Sequence, residues 1–306
     1  MSRKNLPTVQ VEYSFFSNVR VIAVSKDYWC AIVTRDGAET IGKTLDSIIE
    51  QSRPPNYIVV VNDGSSDDTE KIVLSKSFPK IHLLNTGSKT RDIRKVPRLL
   101  NFALDFSNDP KNNLPITDYM MVSGDDNELE HEYADEIMSR MDSDPKIVVA
   151  SGEWLTSRAR RGDQMPHGGG RFVRISYMEE IGGRYPMAYG WETWLLYKAL
   201  EAGYEVRLYP DVRYEHLRPF RPTNLFGWGR AMYSLGFPSY FVFLRFLINL
   251  FNSARGTQSK QAAVTMLVGF LSAELSPGAL KGMTIDDQQL KTFVRYFCTS
   301  RLTRLI

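Results

Sequence analysis

Residues 57–69 read YIVVVNDGSSDDT, and this stretch decides the fold class. Its first half is a continuous apolar run rich in β-branched residues, which predicts a strand buried on both faces, as in a parallel sheet. Asn, Asp and Ser follow at once, and these residue types begin turns and helices. A buried strand that ends in a polar turn and then a helix is the building unit of an α/β protein.

The same unit recurs along the chain. Apolar runs at 28–34, 80–86, 117–123 and 146–154 predict four more strands. Apolar residues at helical spacing predict helices within 35–52, 96–107 and 133–144, and a further strand is predicted at 205–216. Strands that alternate with helices through short connections predict a doubly wound, mostly parallel sheet with flanking helices.

Polar side chains follow three of the predicted strands. Thr34 and Asp36 follow the first, Asp63 follows the second, and Asp125 and Asp126 follow the fourth. Ligands of such sheets bind beyond the carboxyl ends of the strands, so we expect these groups at one rim. No G-x-G-x-x-G follows the first strand and the sequence has no Walker motif, which argues against a dinucleotide fold and a P-loop.

The second half of the chain differs in composition. RRGDQMPHGGGRF (160–172) is rich in glycine and predicts a mobile loop over the site, and residues 190–204 predict an amphipathic helix. Residues 218–306 carry eleven Lys and Arg against three Asp and Glu, a net charge of +8 within a total of +3. We therefore divide the chain into a lead-in (1–27), an α/β domain (28–217) and a basic, aromatic helical region (218–306).

The basic region predicts an anionic partner, either a membrane or a nucleic acid. Its basic residues do not cluster, so we expect no nucleic acid; isolated Arg among Leu and aromatic residues predicts helices in a membrane interface. The alternative is a helical layer that packs on the α/β domain or on a second copy. Two cysteines and no apolar leader run predict a reduced, cytoplasmic protein, peripheral on the membrane.

At this point the chain resembles the inverting family 2 glycosyltransferases of the GT-A fold, in particular membrane-associated prokaryotic members. The resemblance covers roughly residues 27–217. Four pieces carry it in the family's order: AIVTRDGAETIGKTLDSI, YIVVVNDGSSDDT, YMMVSGDD and GGRYPMAYGWETWLLYKALEAGY. It implies a nucleotide-diphosphate sugar donor, a divalent metal ion (Mg or Mn), an acceptor glycan or polyprenyl-linked substrate, and one displacement that inverts the anomeric carbon.

The resemblance also implies roles for single residues. Glu192 matches the catalytic base, and placement between Trp191 and Trp194 would desolvate it and raise its pKa. The donor is expected at Thr34, Asp36, Asp63, Lys95, Arg98 and Asp125, with Asn101 beside them. The metal is expected at Asp125, Asp126 and His216, and the acceptor at Gly169, Gly170, Arg171 and Trp191.

Each of these residues also has a plain structural interpretation. Asp36 and Asp63 suit turns and helix caps, Asp125 and Asp126 suit a capping acidic turn, and Glu192 suits the first turn of a helix. Lys95 and Arg98 suit a solvated helix face. Two rival functions are also open: Ser123 and Trp191, which stand where the family has acids, motivate the first, and the shared fold class motivates the second. One is a degraded, membrane-bound scaffold; the other is a sugar nucleotidyltransferase, which TRDGAET (34–40) does not favour because it is not a basic, Gly-rich loop.

Overall fold

A computed structural model describes residues 26–78, 80–87, 92–155, 165–219, 225–252 and 260–303. Within these ranges the chain forms eight strands and ten α-helices. The strands are β1 (Tyr28–Thr34), β2 (Ile58–Asn62), β3 (Ile81–Asn85), β4 (Tyr119–Ser123), β5 (Asn127–Leu129), β6 (Ile147–Trp154), β7 (Arg171–Arg174) and β8 (Glu205–His216). The predicted lead-in lies almost entirely outside the described residues.

The helices of the first two thirds of the chain alternate with these strands. They are α1 (Ile41–Ile49), α2 (Thr69–Leu74), α3 (Lys95–Asn108), α4 (Tyr133–Ser143), α5 (Ile175–Glu180) and α6 (Trp191–Glu201). Four more helices complete the chain: α7 (Leu225–Ser234), α8 (Ser239–Asn252), α9 (Lys260–Leu275) and α10 (Gln288–Thr303).

The strands form one sheet in the order β3-β2-β1-β4-β7-β6-β8-β5. Four of the seven neighbouring pairs are parallel, which confirms the predicted mostly parallel α/β sheet. Thr34 is in register with Asn62 of β2, and Ile32 with Ser123 of β4. The carboxyl ends of β1, β2 and β4 therefore meet at one edge.

The central strands β1, β2 and β4 are buried on both faces, as their apolar runs predict. In β1, Trp29 and Ala31 face a core that includes side chains from α3, α6 and α10. Cys30 and Ile32 face the opposite core with α1 and α4. Alternate residues of one strand thus serve two layers of helices, and this arrangement fixes where each strand ends.

Two strands were not predicted from the sequence. β7 inserts antiparallel between β4 and β6, and the three-residue β5 pairs antiparallel with β8. The predicted loop over 160–172 is therefore wrong at its end, because β7 begins at Arg171; residues 160–164 lie outside the described ranges. A strand of four residues is too short to show a clear period, and its partners are distant in sequence.

The C-terminal helices pack in two different ways. α7 and α9 approach closely at two glycines, since a Cβ on Gly229 would lie 2.0 Å from the Met266 carbonyl oxygen and one on Gly269 would lie 2.1 Å from that of Phe226. α10 instead contributes Leu290 to the core of the sheet domain beside α6. No helix in the described ranges is long and apolar enough to cross a membrane.

Candidate active site

Thr34 joins the predicted strand ends. Its hydroxyl donates a hydrogen bond of 2.6 Å to Oδ2 of Asp125, and its carbonyl oxygen accepts the backbone N–H of Asp63 at 2.9 Å. These contacts link the ends of β1, β2 and β4. The predicted convergence of the three strand ends is confirmed.

Gly37 makes room for this junction. A Cβ at position 37 would lie 2.5 Å from both Oδ2 of Asp125 and Oγ1 of Thr34. Asp36 before it adopts a positive φ of 51°, which Asp tolerates better than most residues. The Asp-Gly turn after β1 therefore lets the first helix begin directly against the acidic turn.

Asp63 lies beneath the rim and is fully buried. Lys95, at the start of α3, places its Nζ 2.5 Å from Oδ2 of Asp63. The hydroxyl of Thr86 donates to Oδ1 at 2.9 Å, and the guanidinium of Arg35 lies 3.7 Å from Oδ2. Asp63, which was predicted to bind the sugar donor, thus forms an ion pair with Lys95, which was also predicted to bind the sugar donor.

Asp36 stands at the exposed side of the same rim. Oδ1 of Asp36 accepts the backbone N–H of Ser66 at 2.7 Å and its hydroxyl at 3.1 Å. These hydrogen bonds lower the pKa of the Asp36 carboxyl, so it is ionised at neutral pH. The bonds tie the turn after β1 to the turn after β2.

The predicted donor residues on α3 divide into two kinds. Arg98 buries Nε and Nη2 without a hydrogen-bond partner in the described part of the chain. Asn101 is already occupied, because its amide donates to the Tyr185 carbonyl oxygen at 2.9 Å and accepts the Tyr185 N–H at 2.8 Å. Arg98 is therefore suited to an anionic ligand, whereas Asn101 holds the segment before α6.

The side chain of Arg218, which was not predicted to belong to the site, lies against the acidic turn. Arg218 Nη2 donates to Oδ1 of Asp125, and Arg218 Nε lies 3.6 Å from Oδ2 of Asp126. His216 Nδ1 lies 4.0 Å from Oδ1 of Asp126. Burial raises the pKa of the Asp125 carboxyl, and the bonds from Thr34 and Arg218 oppose that shift.

These residues have the donor chemistry of a divalent cation site. Two adjacent carboxylates supply hard oxygen ligands, and the His216 imidazole lies beside Asp126. Burial lowers the pKa of His216, which favours the neutral imidazole that binds metals. Within the described ranges no three acidic, His or Cys side chains converge on one point, so phosphates and water would complete the shell.

Glu192 lies in the first turn of α6 and has one strong partner. Nη2 of Arg171 donates to its Oε1 at 3.1 Å, and Arg171 also donates to the carbonyl oxygens of His167 and Pro166. The Arg171 side chain is 5% exposed and that of Glu192 is 46% exposed. The expected desolvation of Glu192 between two tryptophans is thus wrong, because Trp191 packs against Tyr185 instead.

The glycines before β7 connect the acidic turn with Glu192. A Cβ on Gly168 would lie 2.3 Å from Oε1 of Glu192, and one on Gly169 would lie 2.6 Å from Nδ2 of Asn127. The carbonyl oxygen of Gly170 accepts the buried hydroxyl of Tyr133 at 3.0 Å. The predicted acceptor-side glycines therefore lie between Glu192 and the turn that follows Asp126.

Two buried polar atoms flank Gly169. Oδ1 of Asn127 and the hydroxyl of Tyr214 are buried without a hydrogen-bond partner in the described ranges. Burial raises the pKa of Tyr214, and the charges of Arg171, Glu192 and Asp126 all act on it. Buried polar groups normally have hydrogen-bond partners. These two atoms therefore indicate that the space between Glu192 and Asp126 is suited to a polar ligand or water.

Two of these contacts have no local signal in the sequence. Arg218 follows β8 in a segment without a spacing rule, and Arg171 was expected to face an acceptor and instead holds Glu192. Arg35 beside Asp36 was the only visible signal of a cation near Asp63, because charges next to a strand end reach that rim.

Several solved structures share the fold described above. The chain is 17% identical to mannosyltransferase PcManGT from Pyrobaculum calidifontis, crystallised with GDP-Man and Mn²⁺; the match covers 92% of this chain and 90% of that one with a TM-score of 0.54. S. aureus TarS (residues 1–349) is 14% identical over 84% of this chain and 74% of that one, with a TM-score of 0.51. Glucosyl-3-phosphoglycerate synthase from Mycobacterium tuberculosis is 13% identical over 66% of this chain and 74% of that one, with a TM-score of 0.50.

The family is established by sequence. The model of glycosyl transferase family 2 matches residues 29–199, which is more than half of the chain. The chain belongs to this family and is a glycosyltransferase. No curated protein sequence matches it significantly.

Proposed function

We propose that the enzyme transfers a sugar from a nucleotide-diphosphate sugar to an acceptor hydroxyl or phosphate, with inversion at the anomeric carbon. One observation carries the proposal. The half-exposed Glu192 carboxylate is held by the buried Arg171. Gly168 and Gly169 lie between this carboxylate and the acidic turn that contains Asp125. An accessible acid held opposite a separate diphosphate-binding turn fits a single displacement.

The chemistry assigns one proton transfer to Glu192. Its carboxylate takes the proton of the acceptor hydroxyl as the acceptor oxygen forms a bond to the anomeric carbon. The bond between that carbon and the diphosphate oxygen breaks, and the nucleoside diphosphate leaves with the electron pair. Arg171 keeps Glu192 in position, because its Nη2 donates a hydrogen bond to Oε1 of the carboxylate.

The donor is proposed to lie along the rim of β1, β2 and α3. Asp36 and Asp63 would bind the base and ribose, with Thr34 beside them. Lys95, beside Asp63, and Arg98 would face the diphosphate, since Nε and Nη2 of Arg98 have no hydrogen-bond partner in the described residues and a guanidinium binds phosphate oxygens in a forked geometry. TarS has been crystallised with UDP-GlcNAc and PcManGT with GDP-Man, so both bases enter the test.

Asp125, Asp126 and His216 would hold Mg²⁺ or Mn²⁺ in this proposal. The ion, when bound, neutralises the charge of the departing diphosphate. Ser123 replaces the first acid of the family motif, so the protein supplies fewer oxygen anions than the motif implies. Arg218 contacts both Asp125 and Asp126 and balances their charge in the protein itself.

The acceptor is proposed to approach past Gly169, Gly170 and Trp191 toward Glu192. A glycan or a polyprenyl-linked sugar or phosphate provides the oxygen nucleophile that this geometry needs. A polyprenyl-linked acceptor requires an enzyme that works at the cytoplasmic membrane face, and the apolar, basic C-terminal helices support that part of the proposal.

A thermal-shift screen tests the donor site. UDP, GDP, TDP and CDP are added with and without Mn²⁺ to the wild type, Asp125→Ala and Glu192→Gln. We expect a metal-dependent rise in Tm with one nucleotide, lost in Asp125→Ala and kept in Glu192→Gln, because ligands that bind only the folded state raise its stability. No rise with any nucleotide would refute the proposed donor site.

The rival function is a scaffold that has lost catalysis. Ser123 and Trp191 in place of acids favour it, as does the bond from Arg218 to Asp125. A deletion strain is complemented with the wild type or with Glu192→Gln. If Glu192→Gln complements as well as the wild type does, the scaffold function is correct. Loss of the phenotype with unchanged nucleotide binding supports the transferase.

A further inference from the structure

Helices α8 and α9 form a hairpin that exposes large apolar side chains, whereas side chains of this kind are buried in the sheet domain. The start of α8 meets the end of α9, where the Ser239 hydroxyl donates to Oε1 of Glu274 at 2.5 Å. The two helices therefore run antiparallel. Phe243 on α8 is 53% exposed and Val268 on α9 is 50% exposed. Large exposed apolar patches on a folded protein mark an interaction surface.

The exposed residues form one stripe on each helix. Successive members are three or four positions apart except for one adjacent pair on α8, which places each set on a single helical face. We name them together the hairpin face: Tyr240, Phe243, Leu244 and Ile248 on α8, with Val264, Val268, Leu271 and Leu275 on α9.

A groove joins the two stripes into one surface. It has a volume of about 390 Å³ and is lined by Tyr240 and Phe243 from α8 and by Leu267, Phe270 and Leu271 from α9. Val242 and Phe270 are buried behind it. The hairpin thus has a small core, and the residues of the hairpin face are those that remain outside this core and accessible to solvent.

The hairpin face carries positive charges in the middle of α8 and at the start of α9. Arg245 is exposed between Leu244 and Ile248, and it pairs with no acidic side chain in the described ranges. Lys260 is exposed at the start of α9. The acid of the hairpin, Glu274, lies at the opposite end with Ser239. An apolar face with unpaired cations at its edge suits a surface that is both apolar and anionic.

We propose that the hairpin face binds the surface of a lipid bilayer that contains anionic lipid. The apolar stripes would lie at the boundary of headgroups and acyl chains, with Arg245 and Lys260 among the phosphates. A second copy of the chain fits less well, because residues 218–306 carry a net charge of +8 and two such regions would repel each other. This surface is independent of the transferase chemistry proposed above.

Vesicle co-sedimentation of the full chain tests the proposal. Vesicles of phosphatidylcholine alone are compared with vesicles of phosphatidylcholine and phosphatidylglycerol in a ratio of three to one. The variants are Phe243→Ser, Arg245→Gln and the matched control Leu74→Ser, whose side chain is 67% exposed on α2. Circular dichroism and the unliganded melting temperature confirm that each variant is folded.

We expect the wild type to bind the anionic vesicles. Phe243→Ser should weaken binding to these vesicles about tenfold, because the membrane contact of one aromatic side chain is lost. Arg245→Gln should weaken binding about fivefold on the anionic vesicles alone. Leu74→Ser should bind like the wild type.

Three outcomes would overturn the proposal. The wild type could fail to bind either vesicle, or Phe243→Ser could bind as well as Leu74→Ser. Sedimentation velocity could also reveal a dimer that Phe243→Ser dissociates, which would assign the face to a second copy. None of these outcomes depends on transferase activity, so they are separate from failure of the donor screen.

Discussion

The sheet domain and the α8–α9 hairpin use similar apolar sequences in opposite ways. β1 reads YWCAIVT, and nearly every side chain is buried between two layers of helices. α8 reads SYFVFLRFLINLFN, and most of its described side chains have access to solvent. Apolar composition therefore does not decide burial; the number of elements that pack on a segment does. Catalysis is proposed for the first region and attachment for the second.

The largest effect that would separate the two regions is expected at Glu192. Glu192→Gln should lower kcat by roughly a hundredfold to ten-thousandfold because the base is lost, while the nucleotide Kd stays constant. Steady-state kinetics and calorimetry measure the two quantities. Glu179→Gln changes an exposed glutamate on α5 and is the control. An equal loss in both variants would remove Glu192 from the chemistry.

The second effect concerns the acidic turn. Asp125→Asn should lower kcat/KM by about a hundredfold to a thousandfold, since stabilisation of the leaving diphosphate is worth several kcal/mol. Chelation of divalent ions should reduce the wild type to a similar level and have little further effect on the variant. A wild type that keeps full activity after chelation would show that the cationic side chains of the protein balance the diphosphate charge without a metal ion.

A matched pair of truncations tests the difference in burial directly. Ile32→Ala in β1 removes a fully buried side chain and should lower the free energy of unfolding by about 3 kcal/mol. Phe243→Ala should change it by about 0.5 kcal/mol or less, since the side chain is mostly exposed. Urea unfolding measures both. A large loss in Phe243→Ala would mean that the hairpin face is needed for folding.

Gly37 offers a smaller test within the sheet domain. Gly37→Ala should cost about 1–3 kcal/mol of stability, because the new methyl group would collide with Asp125 and Thr34. The same variant should weaken Mn²⁺ binding. Gly87→Ala is the matched control, since a Cβ there meets no atom within 4 Å. Equal Tm values for the two variants would contradict the close approach at Gly37.

The smallest effect is expected at Arg218. A metal ion and Arg218 compete for the same carboxylate, so Arg218→Ala should raise Mn²⁺ affinity by about fivefold to tenfold. Calorimetric titration with Mn²⁺ alone measures the change. Arg213→Ala removes an exposed arginine of β8 and should leave the affinity unchanged. A weaker affinity in Arg218→Ala would mean that Arg218 supports the metal site.

The sequence by itself determined the main elements and the rim. The apolar runs of β1, β2 and β4 are long enough to show their burial, and each is followed at once by polar residues. Parallel strands place their carboxyl ends together, so the sequence predicts Thr34 and Asp125 at one rim. Their direct contact depends on β4 being the neighbour of β1 in the sheet. The family motifs lie on the same local units.

Only the tertiary structure decided the partners. Arg218 and Asp125 are 93 residues apart, and nothing local indicates that they meet. β7 places Arg171 beside Glu192 only because it inserts between β4 and β6, and α10 joins the main core while α8 does not. Local sequence fixes periodicity and turns, whereas ion pairs and exposed faces depend on which distant segment packs against them.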